Sequence, residues 1–175
     1  MADSPYTGKD PQAYIKAVEA LVGERDPVEV MDRLVIALRR FLADKSVGKL
    51  NLPEAEGKWS ISDVVYHLLD AELIYGYRLR MVLASDAPQF LNVDQDLWAG
   101  RHWYKGLGLD DAIRSLEHLR KANLSIIRAL SDKQYERTGT HSARGRETVR
   151  QMIVRWAGHD LMHFNQIERI WNAVE

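Results

Sequence analysis

The sequence predicts an all-α protein built as a four-helix bundle, with a short helical arm at its N-terminus. Four long segments carry apolar side chains every three to four residues, which is the spacing of an amphipathic helix. No segment alternates apolar and polar residues between hairpin turns for long enough to predict a strand. We assign residues 1–26 to the arm and residues 27–175 to the bundle domain. The prolines lie in the first half of the chain and mark breaks between helices, at positions 5, 11, 27, 53 and 88.

Each of the first two helices is predicted from an Asp-Pro pair. Asp10 and Asp26 are suitable N-cap residues, and the proline that follows each of them fits the first helical turn. We expect a short helix at about 11–22 and a longer one at about 27–43.

A capping pattern and two periodic stretches predict the remaining helices. Ser60 and Asp63 resemble a capping box, with Asp in the position usual for Glu, and they begin a helix that ends near Ala84. The connection that follows, at 85–108, is long and rich in aromatic residues, so a crossover between helices is permitted. Two further helices are expected at about 110–130 and 146–172, joined by a polar loop at 131–145.

The composition limits the classes of function. The chain has 175 residues, a net charge of −1 and a pI near 6.6, so it has no broad basic surface to attract the phosphates of a nucleic acid. It has no polybasic run, no apolar stretch of membrane-spanning length and no secretory signal. It contains no cysteine, which excludes disulfides, thiolate metal sites and a cysteine nucleophile. We therefore expect a cytoplasmic protein that binds neither nucleic acid nor membranes.

Three of the six histidines lie on apolar helix faces. In "RWAGHDLMHFNQIERIW", at 155–171, His159 and His163 continue the apolar stripe and are four residues apart, so their rings can converge. His67 borders the apolar stripe of the helix that begins near Ser60. Three imidazoles would suit Zn²⁺, Ni²⁺, Cu²⁺ or Fe²⁺ and would leave coordination positions for water or substrate. The alternative is that each ring bonds to a backbone carbonyl in an ordinary core.

The other histidines and the other metal motifs are less informative. His102, His118 and His141 are expected in loops or on an outward helix position, in contact with solvent. The segment "HDLMH" has zincin spacing, but Asp160 replaces the usual Glu. No Glu is followed by His three residues later, as di-iron bundle sites require. The chain also lacks G-x-S-x-G, Walker A and G-x-G-x-x-G motifs.

Three segments are weak signals of a protein family one by one, but their combination and order are fairly specific. They are "WSISDVVYHLLDAE", "DQDLWAGR" and "GTHSARGRETVRQMIVRWAGHDLMHFNQIER". Over about residues 27–172 the chain resembles the DinB-like family, which includes the YfiT-type metal-dependent hydrolases and thiol-dependent S-transferases. The resemblance implies an up-down-down-up bundle and one divalent ion, Zn²⁺ or Ni²⁺, held by His67, His159 and His163. Some members use a low-molecular-weight thiol as cosubstrate, and many have no established reaction.

Such an ion would make the protein a metal-dependent hydrolase or S-transferase that acts on a small molecule. A bound divalent ion lowers the pKa of water or binds a thiolate. We expect Trp98 and Trp103 to wall the substrate pocket and Arg155 to bind a carboxylate of the thiol. The alternatives are apolar caps on the bundle for the tryptophans and a surface ion pair for Arg155.

Three acidic residues and one competing function complete the expectations. Asp160 is expected to orient a neighbouring helix or to support a metal ligand. Asp63 is expected to cap its helix rather than bind the ring of His67, and Glu72 is a general base only if it turns inward. The competing hypothesis is a non-enzymatic metal-binding or stress-response protein that acts through protein interactions. Exposed helix faces would also permit a homodimer.

Overall fold

Four long helices form the bundle, in agreement with the sequence. The computed structural model describes residues 10–100, 103–104 and 106–174. Within these ranges, none of the helices has both the length and the apolar character of a membrane span. The helices are α1 (Pro11–Val22), α2 (Pro27–Leu42), α3 (Val47–Leu50), α4 (Ile61–Ala84), α5 (Gln95–Gly100), α6 (Leu109–Arg128), α7 (Asp132–Tyr135) and α8 (Val149–Val174). The strands are β1 (Gln89–Phe90), β2 (Thr138–His141) and β3 (Gly145–Thr148).

Local sequence explains where two of the bundle helices begin. The Asp26 side chain accepts a hydrogen bond of 2.9 Å from the backbone N–H of Val28, and Pro27 starts α2. At α4, the Asp63 carboxylate accepts from the Ser60 N–H at 2.9 Å, and the Ser60 hydroxyl accepts from the Asp63 N–H at 3.2 Å. The predicted capping box is therefore formed, and the carboxylate of Asp63 serves the start of its own helix.

Contacts between α2 and α6 show that these helices are antiparallel. Arg39 of α2 binds Glu117 of α6 with an N–O distance of 3.0 Å. Two turns earlier on α2, the carbonyl of Met31 accepts a hydrogen bond of 2.7 Å from Arg120, which lies farther along α6. One helix therefore descends as the other ascends.

The helices α4 and α6 run in the same direction. Glu72 of α4 binds Arg120 of α6, and Arg80, farther along α4, binds Asn123, farther along α6. Two consecutive long helices with one direction require a connection that returns along the bundle. This requirement explains the length of the segment between Ala84 and Leu109.

The helices α4 and α8 are antiparallel, and this pair completes the topology. His67 near the start of α4 contacts His163, whereas Tyr75, two turns later, stacks on Trp156, which lies earlier on α8. Thus α2 and α8 point one way and α4 and α6 point the other. The bundle has the up-down-down-up topology that the resemblance implies.

A layer of buried polar side chains separates two apolar regions of the core. The first apolar region surrounds the start of α4 and the end of α8, and includes Leu38, Leu68, Leu116 and Ile167. The second surrounds the end of α4 and the start of α8, and includes Met31, Leu79, Ile127 and Trp156. Buried polar groups need partners to offset the loss of hydration. The layer between the two regions contains His67, Glu72, Arg120, His159, Asp160 and His163.

A small three-stranded sheet is the main feature that the sequence does not predict. β1 pairs with β2 in parallel, and β2 pairs with β3 antiparallel. The strands have only two to four residues, too few for their alternation to be recognised. Because the residues Gly145–Thr148 belong to β3, the last helix begins at Val149 and not near Arg146, as the sequence predicts.

The N-terminal helix packs closely against α8. The side chain of Val18 is fully buried, and those of Ile15 and Val22 are nearly so. At Gly158 of α8, a β-carbon would lie 2.6 Å from the carbonyl carbon of Val18. The absence of a side chain at this position lets α1 approach the backbone next to His159.

Candidate metal centre

Two helices bring the three predicted histidines together. His67 lies in the second turn of α4, and His159 and His163 lie one turn apart in α8. The Nε2 atoms of His67 and His159 are 3.0 Å apart, and the ring centroids of His159 and His163 are 4.4 Å apart. One ring nitrogen from each residue lies within 4.8 Å of the other two. Three imidazole nitrogens this close together form a donor set typical of catalytic metal sites.

Burial keeps the three rings neutral. The exposed fractions of His67, His159 and His163 are 8%, 5% and 0%. Burial lowers the pKa of His67 and His159 well below the usual value, and neighbouring histidines lower both further. Burial also lowers the pKa of His163 to about 4, although its hydrogen bond to Gln166 acts in the opposite direction. Neutral imidazole is the form that donates a lone pair to a metal.

Gln166 determines which ring nitrogen of His163 has a lone pair free to bind a cation. The Nδ1–H group of His163 donates to the side-chain oxygen of Gln166 at 2.8 Å. The proton on Nδ1 leaves a lone pair on Nε2, which is buried and has no hydrogen-bond partner in the described part of the chain. A buried acceptor without a partner is costly. A cation bound at Nε2 would satisfy it, so the residues present fit a divalent metal ion.

Aromatic side chains enclose the histidines. The ring of Trp59 stacks on His163 with a centroid distance of 6.4 Å and lies 5.0 Å from that of His67. Tyr75 stacks on Trp156 at 5.1 Å and presents its ring to His159 at 5.9 Å. These side chains exclude water from two sides of the cluster, and electrostatic interactions are stronger where water is excluded.

A cavity of about 390 Å³ adjoins His67. Trp98 and Trp103 line it, with their ring centroids 5.8 Å apart. The side chain of Trp103 is 63% exposed. The structure thus places both tryptophans of the predicted pocket beside a predicted metal ligand. The buried carboxyl of Asp70 also lines the cavity and accepts a hydrogen bond from the hydroxyl of Tyr104. Burial raises the pKa of Asp70, and burial and the bond to Asp70 raise that of Tyr104.

Arg155 lies one turn before His159, as predicted, but two protein carboxylates hold its guanidinium. Its Nη1 atom donates to Glu147 at 2.6 Å, and its Nε atom donates to Glu19 of α1 at 3.1 Å. The ion pair is buried at Arg155 and Glu147 rather than on the surface. The role of Arg155 toward a ligand carboxylate stays a prediction, and any such ligand would compete with these two partners.

A buried ionic network lies beside the histidines. Arg120 of α6 donates to Asp160 of α8 at 2.6 Å, to Glu72 of α4 at 2.8 Å and to the carbonyl of Met31 of α2. Asn123 donates to the second oxygen of Glu72 at 2.7 Å. Glu72 therefore faces inward, but both of its oxygens already accept hydrogen bonds. Through Arg120, Asp160 connects α8 to α6. Burial raises the pKa of Asp160 to about 6, although the positive charge of Arg120 acts to lower it.

The remaining histidines have different environments. His118 is exposed, as expected, and His102 lies outside the described residues. The expectation that His141 contacts solvent is wrong, because only 1% of it is exposed. It lies on β2, whose side chains alternate between the sheet's two faces, and the missed hairpin is the reason for the error. Asp70 was also missed, although it lies three residues after His67 on the same helix side.

Comparisons with known proteins agree with this fold. A sequence profile described as the DinB superfamily matches residues 31–167. A protein of Oceanobacillus iheyensis named "Putative metal-dependent hydrolase" is 26% identical over 140 residues, which cover 80% of this chain and 79% of that protein. "Putative metal-dependent hydrolase YfiT" of Bacillus subtilis is 20% identical over 146 residues, which cover 81% of this chain and 82% of YfiT. The solved structure of YfiT matches with a TM-score of 0.73, at 20% identity, over 82% of this chain and 84% of that one. Because the profile covers most of its length, this chain belongs to the DinB superfamily.

Proposed function

We propose that this protein is a metal-dependent enzyme that acts on a small molecule in the cavity beside His67. One divalent cation is held by His67, His159 and His163. The observation that carries the proposal is the convergence of three neutral ring nitrogens within 4.8 Å, next to a cavity large enough for a small substrate. When bound, such an ion supplies Lewis acidity toward an oxygen or sulfur atom of the substrate.

The surrounding residues have separate tasks in this proposal. Gln166 holds His163 in the tautomer that binds a cation, and Trp59 and Tyr75 keep bulk water from the cluster. Asp70 lies at the cavity wall, one turn from His67, where its carboxyl can take up or return a proton of the substrate. Tyr104 holds that carboxyl in place through its hydroxyl. Trp98 and Trp103 form the apolar wall against which the substrate binds.

Hydrolysis is the reaction that the names of the relatives favour, since those of Oceanobacillus iheyensis and Bacillus subtilis are called metal-dependent hydrolases. Thiol-dependent S-transfer is the second candidate. The chain has no cysteine, so a sulfur nucleophile would have to come from a low-molecular-weight thiol. Imidazole ligands suit several divalent ions, and of these we propose Zn²⁺ or Ni²⁺, the ions that the resemblance to the DinB-like family implies.

Two further properties extend the proposal. We place the protein in the cytoplasm, where low-molecular-weight thiols are kept reduced. We also propose a homodimer that uses the outer face of α4, because Leu73 and Tyr77 are four residues apart and are 47% and 62% exposed. Sedimentation of the wild-type protein and of a Tyr77→Glu variant tests the dimer.

The metal site is tested by measuring the metal content of purified protein. We expect about one divalent ion per chain, and loss of most of it in His159→Ala and His163→Ala, because each substitution removes a ligand. His118→Ala is the matched control, because this histidine is exposed on α6 and should leave the metal content unchanged. Equal metal content in all four proteins would contradict the site.

The reaction is tested with the same four proteins. Each is assayed for hydrolysis of model esters and amides, and for conjugation of a model electrophile with several thiols. Turnover that is present in wild type and His118→Ala and absent from His159→Ala supports the enzyme. One tightly bound ion without turnover in either assay would favour the competing function, a metal-binding protein that acts through protein interactions.

A further inference from the structure

His141 presents a buried hydrogen-bond donor. Its Nδ1 atom accepts hydrogen bonds from the backbone N–H groups of Ala143 and Arg144, at 3.1 and 3.3 Å. An acceptor at Nδ1 places the ring proton on Nε2. The Nε2–H group is buried, and no residue of the described ranges accepts a hydrogen bond from it. A buried donor without an acceptor is costly, so this position calls for one.

Arg144, three residues later on the same hairpin, presents a second such donor. One terminal nitrogen of its guanidinium binds Glu147 at 3.1 Å. Its Nε–H group is buried and, within the described part of the chain, also has no partner. Two donors from one hairpin thus lack acceptors among the residues that the structure describes.

The surroundings of these donors carry an excess of positive charge. Arg78 is only 6% exposed; it donates to the carbonyl of Leu91 and pairs with no carboxylate among the described residues. Together with Arg144 and Arg155, it gives three guanidinium groups. Two carboxylates, Glu147 and Glu19, oppose them. Among the described residues, one positive charge is therefore left without a carboxylate partner in a largely buried region, where an unpaired charge is expensive.

This region adjoins the histidine cluster. The ring of Tyr75 contacts that of His159, and Arg78 follows Tyr75 by three residues on α4. Arg144 and Arg155 bind the same carboxylate, that of Glu147, and Arg155 lies one turn before His159 on α8. Arg78 follows His67 by eleven residues, which places the two on the same side of α4 with their α-carbons about 16 Å apart along the axis.

We propose that His141, Arg144 and Arg78 form a carboxylate-binding subsite for the substrate that reacts at the three histidines. This proposal rests on the proposed function, because the metal site proposed there fixes where the reacting group of the substrate lies. A carboxylate matches the subsite because its two oxygens can accept from His141 Nε2–H and Arg144 Nε–H, while its single negative charge balances the surplus. The substrate class is accordingly a small molecule with a carboxylate at one end and a metal-reactive group at the other.

A series of bifunctional probes measures how much the subsite contributes to binding affinity in the Co²⁺-loaded protein. The probes are unbranched ω-mercaptocarboxylic acids with one to five methylene groups, each compared with its primary amide. Binding of the thiolate is followed by its charge-transfer absorption on cobalt. At the chain length that spans the two sites, we expect the acid to bind roughly ten- to hundredfold more tightly than its amide. The preference should disappear in Arg144→Gln and persist in Arg146→Gln, a neighbour on β3 that is exposed.

Acids and amides that bind equally well at every length would overturn the subsite, while their shared absorption band would still support the metal site. Absence of the band with all thiols, including 2-mercaptoethanol, would instead count against the metal site. In that case a second measurement tests the carboxylate subsite in the metal-free protein. Butyrate added to the unaltered metal-free protein should shift the NMR signal of the His141 Nε2–H group, and butyramide should not. An unchanged signal with butyrate would refute the proposal.

Discussion

At the scale of single residues, Gln166 controls the chemistry of the proposed metal site. Its oxygen accepts the Nδ1 proton of His163, and the resulting lone pair on Nε2 has no partner among the described residues. Outer residues that fix the tautomer of a histidine ligand commonly affect metal affinity, because the free ring otherwise divides its time between two tautomers and several orientations.

We predict that Gln166→Leu weakens metal binding by about ten- to hundredfold, which is the usual effect of losing such a partner. Competition with a chelating indicator dye measures the affinity. Gln166→Glu keeps an acceptor oxygen at the same place and should retain most of the affinity. Equal weakening by both substitutions would indicate that Gln166 acts through packing and not through the hydrogen bond.

At the scale of secondary structure, the contact between α1 and α8 depends on one glycine. A β-carbon at Gly158 would overlap the backbone of Val18, and Gly158 directly precedes His159. The N-terminal helix therefore supports the backbone from which a proposed metal ligand projects. Its Glu19 also holds Arg155 of α8, so an apolar contact and an ionic contact fix the same pair of helices.

We predict that Gly158→Ala destabilises the protein by about 1–3 kcal/mol, because the added methyl group forces α1 away from α8. Urea unfolding measures the loss, and faster amide hydrogen exchange in α1 than in α6 locates it. Gly48→Ala is the control, since Gly48 lies in α3 with no atom within 4 Å of a β-carbon and without a positive φ. The prediction fails if both variants unfold at the same urea concentration.

At the scale of the whole molecule, one arginine links all four helices of the bundle. Arg120 of α6 contacts Glu72 of α4, Asp160 of α8 and the carbonyl of Met31 of α2. The network lies in the polar layer that also contains the histidines. Because Asp160 is adjacent to His159 in sequence, the same ion pairs fix the register of the helices and the position of the proposed site.

We predict that Arg120→Met lowers the free energy of unfolding by about 3–5 kcal/mol, because it leaves Glu72 and Asp160 buried without a counter-charge. Arg128→Met on the same helix should cost only about 0–1 kcal/mol, since Arg128 and its partner Asp32 are both more than half exposed. Urea unfolding of the metal-free proteins compares them. Similar losses in the two variants would show that the buried network contributes no more than a surface pair.

The sequence predicts the helices well because their signals are local. Asp26 and Ser60 start α2 and α4 at the expected positions through hydrogen bonds to residues two or three positions away. The spacing of His159 and His163 already places both rings on one helix face. The strands and the buried position of His141 were missed, because pairing between segments of two to four residues leaves almost no periodic pattern.

By itself, the sequence determined the helical class, the family and the three histidines as candidates, because helix periodicity and capping act over a few neighbouring residues. Only the tertiary structure decided which side chains meet across the bundle. In the folded chain, Arg155 pairs with Glu19 and Glu147, and Asp70 accepts a hydrogen bond from Tyr104. The buried donors of His141 and Arg144 have no acceptor among the described residues. These contacts join residues that are far apart in the chain or in different elements, and the packing of whole helices sets their distances.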